Sequence, residues 1–153
     1  MAQVSVTRRY RFCAAHRLHT DHLSLDDNQA VFGKCNNSNG HGHNYVVLVT
    51  VKSTASAETD GGVDLDRLDR TVGQQVIARF DHHDLNQDPE FADRTTTGEN
   101  LVLLIWDLLV KCLPAGQLDK IGLIETRDNY FEYAGVDEPG TGAHKGAAWL
   151  SKE

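Results

Sequence analysis

The sequence predicts one α+β domain in which an antiparallel four-stranded sheet carries two helices on one face. Two stretches near the N-terminus and two after residue 120 show alternating apolar residues, which is the pattern of strands. Between them, two stretches place apolar residues three or four positions apart, as amphipathic helices do. The predicted order of elements is therefore ββααββ. With 153 residues, 40% of them hydrophobic, the chain suits one core of ordinary size.

The first strand covers residues 3–16, where apolar side chains and finally His16 share one parity. Residues 17–44 contain polar clusters and little periodicity, so we expect a long functional loop without secondary structure of its own. From His43 onward apolar residues alternate again, and this second strand would pair antiparallel with the first. A turn at residues 60–62 ends the region.

The first helix begins after Asp64, which we expect to be its N-cap, and its apolar stripe continues to Phe80. A second loop, residues 81–97, separates it from the second helix. That helix opens with a capping-box pattern at residues 96–99 and ends before Pro114. The two helices have apolar faces of the width that packs on a sheet.

Two short strands close the domain, one ending at Glu125 and one covering residues 130–134, joined by a turn at 127–129. The Gly, Pro and charged residues after Gly135 predict a poorly ordered tail. We therefore expect a domain at residues 1–135 and a tail at 136–153. The edges of so small a sheet need covering, and pairing with other subunits would build an oligomer.

Composition excludes several classes of function. A formal net charge of -7 argues against non-specific binding of nucleic acid, although a locally basic cleft can still bind an anionic small molecule. The sequence contains no apolar run long enough to span a membrane and no secretory signal. Its three cysteines, Cys13, Cys35 and Cys112, are odd in number and widely spaced. They predict reduced thiols and a cytoplasmic location.

A metal site is predicted at the start of the second strand. His41 and His43 are two residues apart, so their side chains point to the same side of the sheet. His16, at the end of the neighbouring strand, is the simplest third ligand. Three imidazoles with a fourth position open are typical of a catalytic zinc site. The alternative is a surface turn at His41–His43 with His16 as a core histidine, and we expect His19 and His22 to face solvent.

A thiol lies close to this site in the sequence. Five residues separate Cys35 from His41, and its neighbours include Lys34 and several polar residues. A thiol near a metal ion and a lysine should have a lowered pKa and act as a base or nucleophile. The alternative is an inert, packed cysteine, which is how we interpret Cys13 and Cys112.

Three acidic or basic residues elsewhere are further candidates for the site. A carboxylate beside an imidazole can relay protons, and the pair Asp81–His82 follows the first helix, with His83 as a rival for the imidazole. Glu125 shares the inward parity of its apolar strand. It would either pair with a cation, Arg127 or Lys120, or accept two N–H groups from an aminopyrimidine ring.

Taken together, the motifs resemble those of the 6-pyruvoyl-tetrahydropterin synthase family over about residues 3–134. The stretches that carry the resemblance are Phe12–His16, Phe32–Tyr45, Asp81–His82 with Leu85, Thr97–Asn100 with Ile105–Asp107, and Glu125–Thr126. The resemblance implies a tunnelling fold (T-fold), assembled as a homohexamer from two trimers with active sites between subunits. One departure is Gly98, which stands where a Thr or a similar residue is common in the family.

The resemblance also implies a reaction and roles for the candidate residues. The family converts 7,8-dihydroneopterin triphosphate to 6-pyruvoyl-tetrahydropterin and releases inorganic triphosphate, often with Mg²⁺ as well. Zn²⁺ would be held by three histidines, a cysteine would be the base, an Asp-His pair its relay, and a glutamate and a threonine would hold the pterin. In this sequence the three histidines are His16, His41 and His43, and the cysteine is Cys35. The Asp-His pair is Asp81 with His82, and the residues that would hold the pterin are Glu125 and Thr97.

Two rival functions are considered. The related 6-carboxy-tetrahydropterin synthases of queuosine biosynthesis use the same substrate, but there the cysteine typically lies three residues before the His-Gly-His motif. The five intervening residues here favour the pyruvoyl reaction. The other rival is a non-catalytic, zinc-stabilised interaction module, which would have a closed site of four ligands and no need of Cys35 outside metal binding.

Overall fold

The sheet is organised around one long antiparallel pair of strands. In the computed structural model, which describes residues 3–53 and 62–136, β1 (Ser5–His16) pairs with β2 (His41–Lys52). The register is continuous from Ser5 opposite Lys52 to His16 opposite His41. The apolar alternation of both strands confirms their prediction. Because the register ends on this histidine pair, the predicted metal ligands meet at one end of the sheet.

The complete sheet has five strands and is mixed, in the order β3-β1-β2-β4-β5. β4 (Leu118–Thr126) pairs antiparallel with β2, and β5 (Asn129–Tyr133) pairs antiparallel with β4. β3 (His83–Asp84) lies parallel to the end of β1. The prediction of a four-stranded, wholly antiparallel sheet was therefore wrong. Two polar, exposed residues have no alternation to detect, so β3 leaves no signal in the sequence.

The first predicted helix is present and is interrupted once. α2 (Leu65–Val72) is capped by Asp64, whose side chain accepts a hydrogen bond of 2.9 Å from the Arg67 N–H. The helix then passes through a π-helical turn, Gly73–Ile77, into the short α3 (Ala78–Phe80). The N-cap prediction is confirmed, and the apolar stripe packs on the sheet throughout.

The second predicted helix, α4 (Gly98–Val110), begins one residue later than the capping-box pattern indicates. Its N-cap is Thr97, whose hydroxyl accepts a hydrogen bond of 3.3 Å from the Asn100 N–H. Thr96, the N-cap of the pattern, is instead fully buried. The reason for the shift is that the Thr96 carbonyl contacts a histidine of the metal centre and thereby holds this residue outside the helix.

The segment between β1 and β2 is not the unstructured loop that was predicted. It contains α1 (Leu25–Phe32) and a 3₁₀ turn, Gly33–Asn36. α1 has no apolar stripe, because its one buried residue is Asn28. The amide of that residue donates to three carbonyls, those of Thr20, Leu23 and Ser24, at 2.8–3.1 Å. A helix held by one buried amide shows no hydrophobic period, so its pattern is invisible in the sequence.

The core lies between one face of the sheet and α2–α4. Phe12 stacks on Tyr45 with ring centroids 4.9 Å apart, and Phe80 packs against the Phe12 ring. The other fully enclosed residues come from both strands and helices: Val47, Val49, Val51, Leu68, Val72, Val76, Leu85, Leu101, Ile105, Leu109, Ile121 and Leu123. The prediction of an α+β domain with its helices on one face is confirmed.

Some predicted features lie outside the described residues. They are residues 60 and 61 of the predicted turn and residues 137–153 of the predicted tail, which include His144. Among the residues that are described, no helix is both long and apolar enough to cross a membrane.

Candidate metal centre and substrate site

Three histidines converge at the end of the β1–β2 pair. His16 is the last residue of β1 and lies opposite His41, while His43 lies opposite Ala14, so all three side chains point to the core face. The Nε2 atoms of His41 and His43 lie 2.9 Å and 3.1 Å from Nε2 of His16. One ring nitrogen from each residue falls within 4.8 Å of the others. The structure thus brings the three predicted ligands together.

The orientation of His16 is set by a contact that sequence reasoning missed. Its Nδ1 lies 2.8 Å from the Thr96 carbonyl oxygen and donates to it, which leaves the Nε2 lone pair facing the other two rings. His16 is 1% exposed, and burial lowers its pKa to about 4, so the ring is neutral at physiological pH. Burial also lowers the pKa of His43. Neutral imidazoles are the protonation state that binds a metal ion.

The chemistry of the donor set fits Zn²⁺. Three imidazole nitrogen atoms face one another, and among the described residues the cluster contains no carboxylate oxygen or thiolate sulfur. Imidazole suits Zn²⁺, whereas Mg²⁺ and Ca²⁺ prefer oxygen ligands. Three protein ligands leave a fourth tetrahedral position for a substrate or water. This is the arrangement of a catalytic site rather than a closed structural one.

A carboxylate lies beside the three histidines. Glu125, on β4, has its Oε1 atom 3.8 Å from Nε2 of both His16 and His43, and its side chain is 12% exposed. The predicted alternative, a salt bridge from Glu125 to Arg127 or Lys120, does not form. Each of those cations is paired elsewhere, with Asp128 and Glu132 respectively. The inward parity predicted for Glu125 is confirmed.

Cys35 lies in the 3₁₀ turn that follows α1 and is half-buried. Its carbonyl accepts a hydrogen bond of 2.8 Å from Leu18, and the neighbouring Asn36 amide donates to the Leu18 carbonyl at 2.7 Å. These two bonds tie the turn to the chain that leaves His16. Within residues 3–53 and 62–136, the metal cluster contains no thiol, so Cys35 is not a fourth ligand in this chain.

Asp81 and His82 form a pair at the β1 edge of the sheet. Asp81 Oδ1 lies 3.0 Å from His82 Nδ1 and also accepts a hydrogen bond of 2.9 Å from the Cys13 N–H, which lowers the pKa of Asp81. Among the described residues the His83 ring hydrogen-bonds the Asp81 carbonyl, whereas the Asp81 carboxylate contacts His82. The His82 side chain is 80% exposed. In the part of the chain that the structure describes, the pair contacts none of the three histidines.

The family profile described as "6-pyruvoyl tetrahydropterin synthase" matches residues 5–136. This chain belongs to that family. The resemblance predicted from the motifs is confirmed.

Relatives across animals show how closely this 6-pyruvoyl tetrahydropterin synthase family member follows its family. The human 6-pyruvoyl tetrahydrobiopterin synthase is 43% identical over 134 residues, which cover 87% of this chain and 92% of the human protein. The Drosophila melanogaster protein of the same name is 39% identical over 132 residues, covering 85% of this chain and 79% of its own. A solved structure of the Caenorhabditis elegans synthase superposes with a TM-score of 0.82 at 36% identity, covering 88% of this chain and 97% of that one.

The start of α4 contains Gly98, the residue at which the resemblance predicts a departure from the family pattern. A Cβ atom at Gly98 would clash with the Phe131 ring, so any side chain there, including threonine, would displace the phenyl group. Thr97 uses its hydroxyl oxygen to cap α4, but the hydroxyl proton remains free to donate. Gly98 and Phe131 therefore form one packed unit beside Thr97.

Two predictions about the remaining candidates were wrong in detail. Cys13 does not pack in the core; it is exposed, and its thiol lies 2.9 Å from the Asn44 side-chain oxygen. Cys13 and His16 are three residues apart in β1, so the Cys13 side chain lies on the face of the sheet opposite to that of His16. His19 does not face solvent freely, because its Nδ1 contacts the buried Asn36 amide at 3.0 Å. Cys112 is half-buried, and His22 is exposed as expected.

Proposed function

We propose that this chain converts 7,8-dihydroneopterin triphosphate to 6-pyruvoyl-tetrahydropterin with elimination of inorganic triphosphate, as a step of tetrahydrobiopterin biosynthesis. The observation that carries the proposal is the convergence of three Nε2 atoms with the Glu125 carboxylate 3.8 Å away. This arrangement offers a position for a metal ion and an acceptor for a ring in the same small space. The names of the relatives support the same reaction.

His16, His41 and His43 would hold Zn²⁺. When bound, Zn²⁺ polarises the side-chain hydroxyl groups of the substrate and so acidifies the protons on the attached carbon atoms. The Thr96 carbonyl, by accepting from Nδ1 of His16, keeps the Nε2 lone pair directed at this position. The histidines thus position the substrate side chain.

Glu125 would hold the pterin ring. Its carboxylate can accept two adjacent N–H groups of an aminopyrimidine in a bidentate pair, which is the strong form of such a contact. The cations nearest in sequence are paired elsewhere and so do not compete for it. The free hydroxyl proton of Thr97 adds one donor to the ring. Together these groups would fix the ring so that its side chain lies over the metal position.

Cys35 would be the base that moves protons between the substrate side chain and the ring, with Asp81 and His82 as its relay. The reaction is an internal redox rearrangement followed by loss of triphosphate, so nicotinamide and flavin are not needed. The Asp81–His82 pair is exposed and does not reach the three histidines of its own chain. We therefore assign the relay to a neighbouring subunit of a homohexamer built from two trimers, with the active sites between subunits.

The proposal includes a cytoplasmic location, for which the three free thiols are the support, and Mg²⁺ as a second ion carried with the triphosphate. The T-fold assembly is part of the same proposal. The five residues between Cys35 and His41 favour this reaction over the 6-carboxy-tetrahydropterin synthase reaction.

The test is to incubate the purified, zinc-loaded protein with 7,8-dihydroneopterin triphosphate and to identify the products by mass. We expect 6-pyruvoyl-tetrahydropterin and inorganic triphosphate. A carboxy product with acetaldehyde would instead support the queuosine-pathway reaction, and no product would support the interaction module. Cys35→Ala in zinc-replete protein should abolish turnover while the zinc content stays the same. Intact turnover in this variant would exclude Cys35 as the base.

A further inference from the structure

The turn that carries Cys35 packs against residues 17–19, which directly follow β1. The Leu18 N–H donates to the Cys35 carbonyl at 2.8 Å. The Asn36 amide donates in return to the Leu18 carbonyl at 2.7 Å, and its nitrogen also lies 3.0 Å from His19 Nδ1. Because Asn36 is 6% exposed, these contacts are shielded from water, where a hydrogen bond is stronger than at the surface. One side chain therefore ties the turn to this segment.

Residues 17–19 are held in place from two other parts of the chain. Asn86, in the 3₁₀ turn after β3, accepts from the Arg17 N–H at 2.7 Å and donates to the Arg17 carbonyl at 2.9 Å. The Thr96 hydroxyl donates to the same carbonyl at 3.3 Å. The segment begins directly after His16, whose ring is oriented by the Thr96 carbonyl. The turn is therefore attached to the same stretch of chain that positions one of the three histidines.

The short connection from this turn to β2 contacts the same stretch at its far end. Gly40, directly before β2, has a positive φ of 71°, and a Cβ atom there would lie 3.2 Å from the His16 carbonyl oxygen. The Gly40 N–H donates to the Asn37 carbonyl at 2.9 Å, which closes the connection on itself. Arg17 supports its beginning by donating from Nε to the Asn36 carbonyl at 3.0 Å. Both ends of the connection are therefore fixed relative to the end of β1.

We propose that Asn36 is a positioning residue of the reaction, whose buried amide fixes the Cys35 thiol relative to His16; the inference rests on the proposed function, in which Cys35 is the base. A base acts only within hydrogen-bond reach of the proton that it removes. A displacement of about 1 Å can cost about 100-fold in rate. An apolar residue in place of Asn36 would leave the buried Leu18 carbonyl without this donor and would release the turn.

Two variants of the same residue test the proposal. Asn36→Ala removes both N–H donors, and Asn36→Asp removes them while it keeps the size of the side chain. The matched control is Asn28→Ala, because Asn28 is a second buried amide in the same connection between β1 and β2. Its amide nitrogen donates to carbonyls within residues 20–24 and not to the Cys35 turn.

The measurements use zinc-loaded protein at a temperature at which every variant is folded. They are kcat, KM, zinc content and the rates at which iodoacetamide modifies Cys35 and Cys112, each followed by the mass of its own peptide. Cys112 is also half-buried but lies after α4, so it reports general loosening of the protein. The ratio of the two rates isolates the turn from such loosening.

In both Asn36 variants kcat should fall by about tenfold or more while KM and zinc content stay the same, since only the position of the base changes. Modification of Cys35 relative to Cys112 should become several-fold faster, because the loosened turn exposes a half-buried thiol. A more accessible thiol in a slower enzyme is a combination that a merely structural role would not produce. Asn28→Ala should lower the stability but keep the wild-type kcat and ratio of rates.

A wild-type kcat in both Asn36 variants, or a wild-type ratio of Cys35 to Cys112 modification, would overturn the inference. Wild-type protein that makes no product, or Cys35→Ala protein with intact turnover, would overturn the proposed function instead. The ratio of modification rates would then still decide whether Asn36 holds the turn, because it does not depend on turnover.

Discussion

The two sets of candidate catalytic groups have opposite surroundings. The three histidines and Glu125 lie on the core face, with His16 only 1% exposed, whereas the His82 side chain at the β1 edge is 80% exposed. The three histidines come from one chain, because strand register positions each ring and the Thr96 carbonyl orients that of His16. The exposed pair is held by the Cys13 N–H and, within residues 3–53 and 62–136, makes no hydrogen bond to the three histidines.

We expect this difference to separate metal binding from proton transfer. A metal site needs ligands fixed within a few tenths of an ångström, which a paired strand end supplies. A relay needs access to the group it serves, and an exposed pair can reach a group on another chain. The buried region should therefore control metal content and stability, and the exposed region should control turnover alone.

The largest expected effect is on metal content. His41→Ala removes one of the three nitrogen donors, and zinc affinity should fall by roughly a thousandfold or more because two imidazoles cannot hold the ion in a tetrahedral site. Zinc per chain is measured by atomic absorption after dialysis. The matched control is His22→Ala, an exposed histidine, which should keep its zinc. Full zinc content in His41→Ala would contradict the assignment of the site.

The second prediction uses the pKa of His16, which burial lowers to about 4 from 6.5. Between these two values the unfolded chain binds a proton that the folded chain does not, so the stability of metal-free protein falls as the pH is lowered through this window. The loss between pH 7 and pH 4.5 should be about 2.5 kcal/mol. Urea unfolding in the presence of a chelator, at fixed protein concentration, measures it at pH 7 and at pH 4.5.

Two variants show which histidine causes this pH dependence. His16→Asn keeps a donor for the Thr96 carbonyl but removes the titrating ring, so the loss of stability between pH 7 and 4.5 should shrink. His82→Asn, at the exposed pair, should leave it unchanged. Equal pH dependence in His16→Asn and in wild-type protein would show that the buried ring is not its source.

The sequence could predict the side chains of the site that strand periodicity positions, but not the contacts that have no periodic pattern. His41 and His43 were found because a two-residue spacing in a strand determines the side on which both rings lie, and the register then brings His16 opposite. The Thr96 carbonyl that orients His16 was missed, since a backbone acceptor has no sequence signal. The arrangement of the Asp81–His82 pair was likewise hidden, because His82 has a positive φ of 59° and no periodic pattern predicts it.

The fold shows the same division. Strands and helices with apolar faces were predicted because burial imposes a period of two or of 3.6 residues. α1 was missed because Asn28, a polar residue, is what it buries. β3 was missed because two exposed residues cannot show a period.

The third prediction concerns the exposed pair. His82→Ala should lower kcat by about 100-fold, as expected for the loss of one proton-transfer group, with zinc content unchanged. His83→Ala is the matched control and should retain most of the activity, since among the described residues the His83 ring hydrogen-bonds a backbone carbonyl and not the Asp81 carboxylate. Steady-state kinetics and zinc analysis on the same samples measure both quantities. A loss of zinc in His82→Ala would mean that the two regions are not separate.

Subunit mixing tests where the relay acts. Cys35→Ala and His82→Ala subunits are each expected to be nearly inactive as pure assemblies. If the thiol and the relay of one site come from different chains, dissociation and reassembly of a mixture should restore part of the activity. No recovery would place both groups in the same chain.

The smallest expected effect compares two helical glycines. Gly98, beside the metal centre, has no room for a Cβ atom because the Phe131 ring lies where it would be, whereas Gly73 has open space and ordinary helical φ. Gly73→Ala should stabilise the protein by about 0.5–1 kcal/mol through helix propensity. Gly98→Ala should destabilise it by about 1–2 kcal/mol, because the cost of displacing a packed ring exceeds the same gain. Thermal unfolding measures both, and Gly98→Ala with Phe131→Leu should recover part of the loss if the ring is the cause.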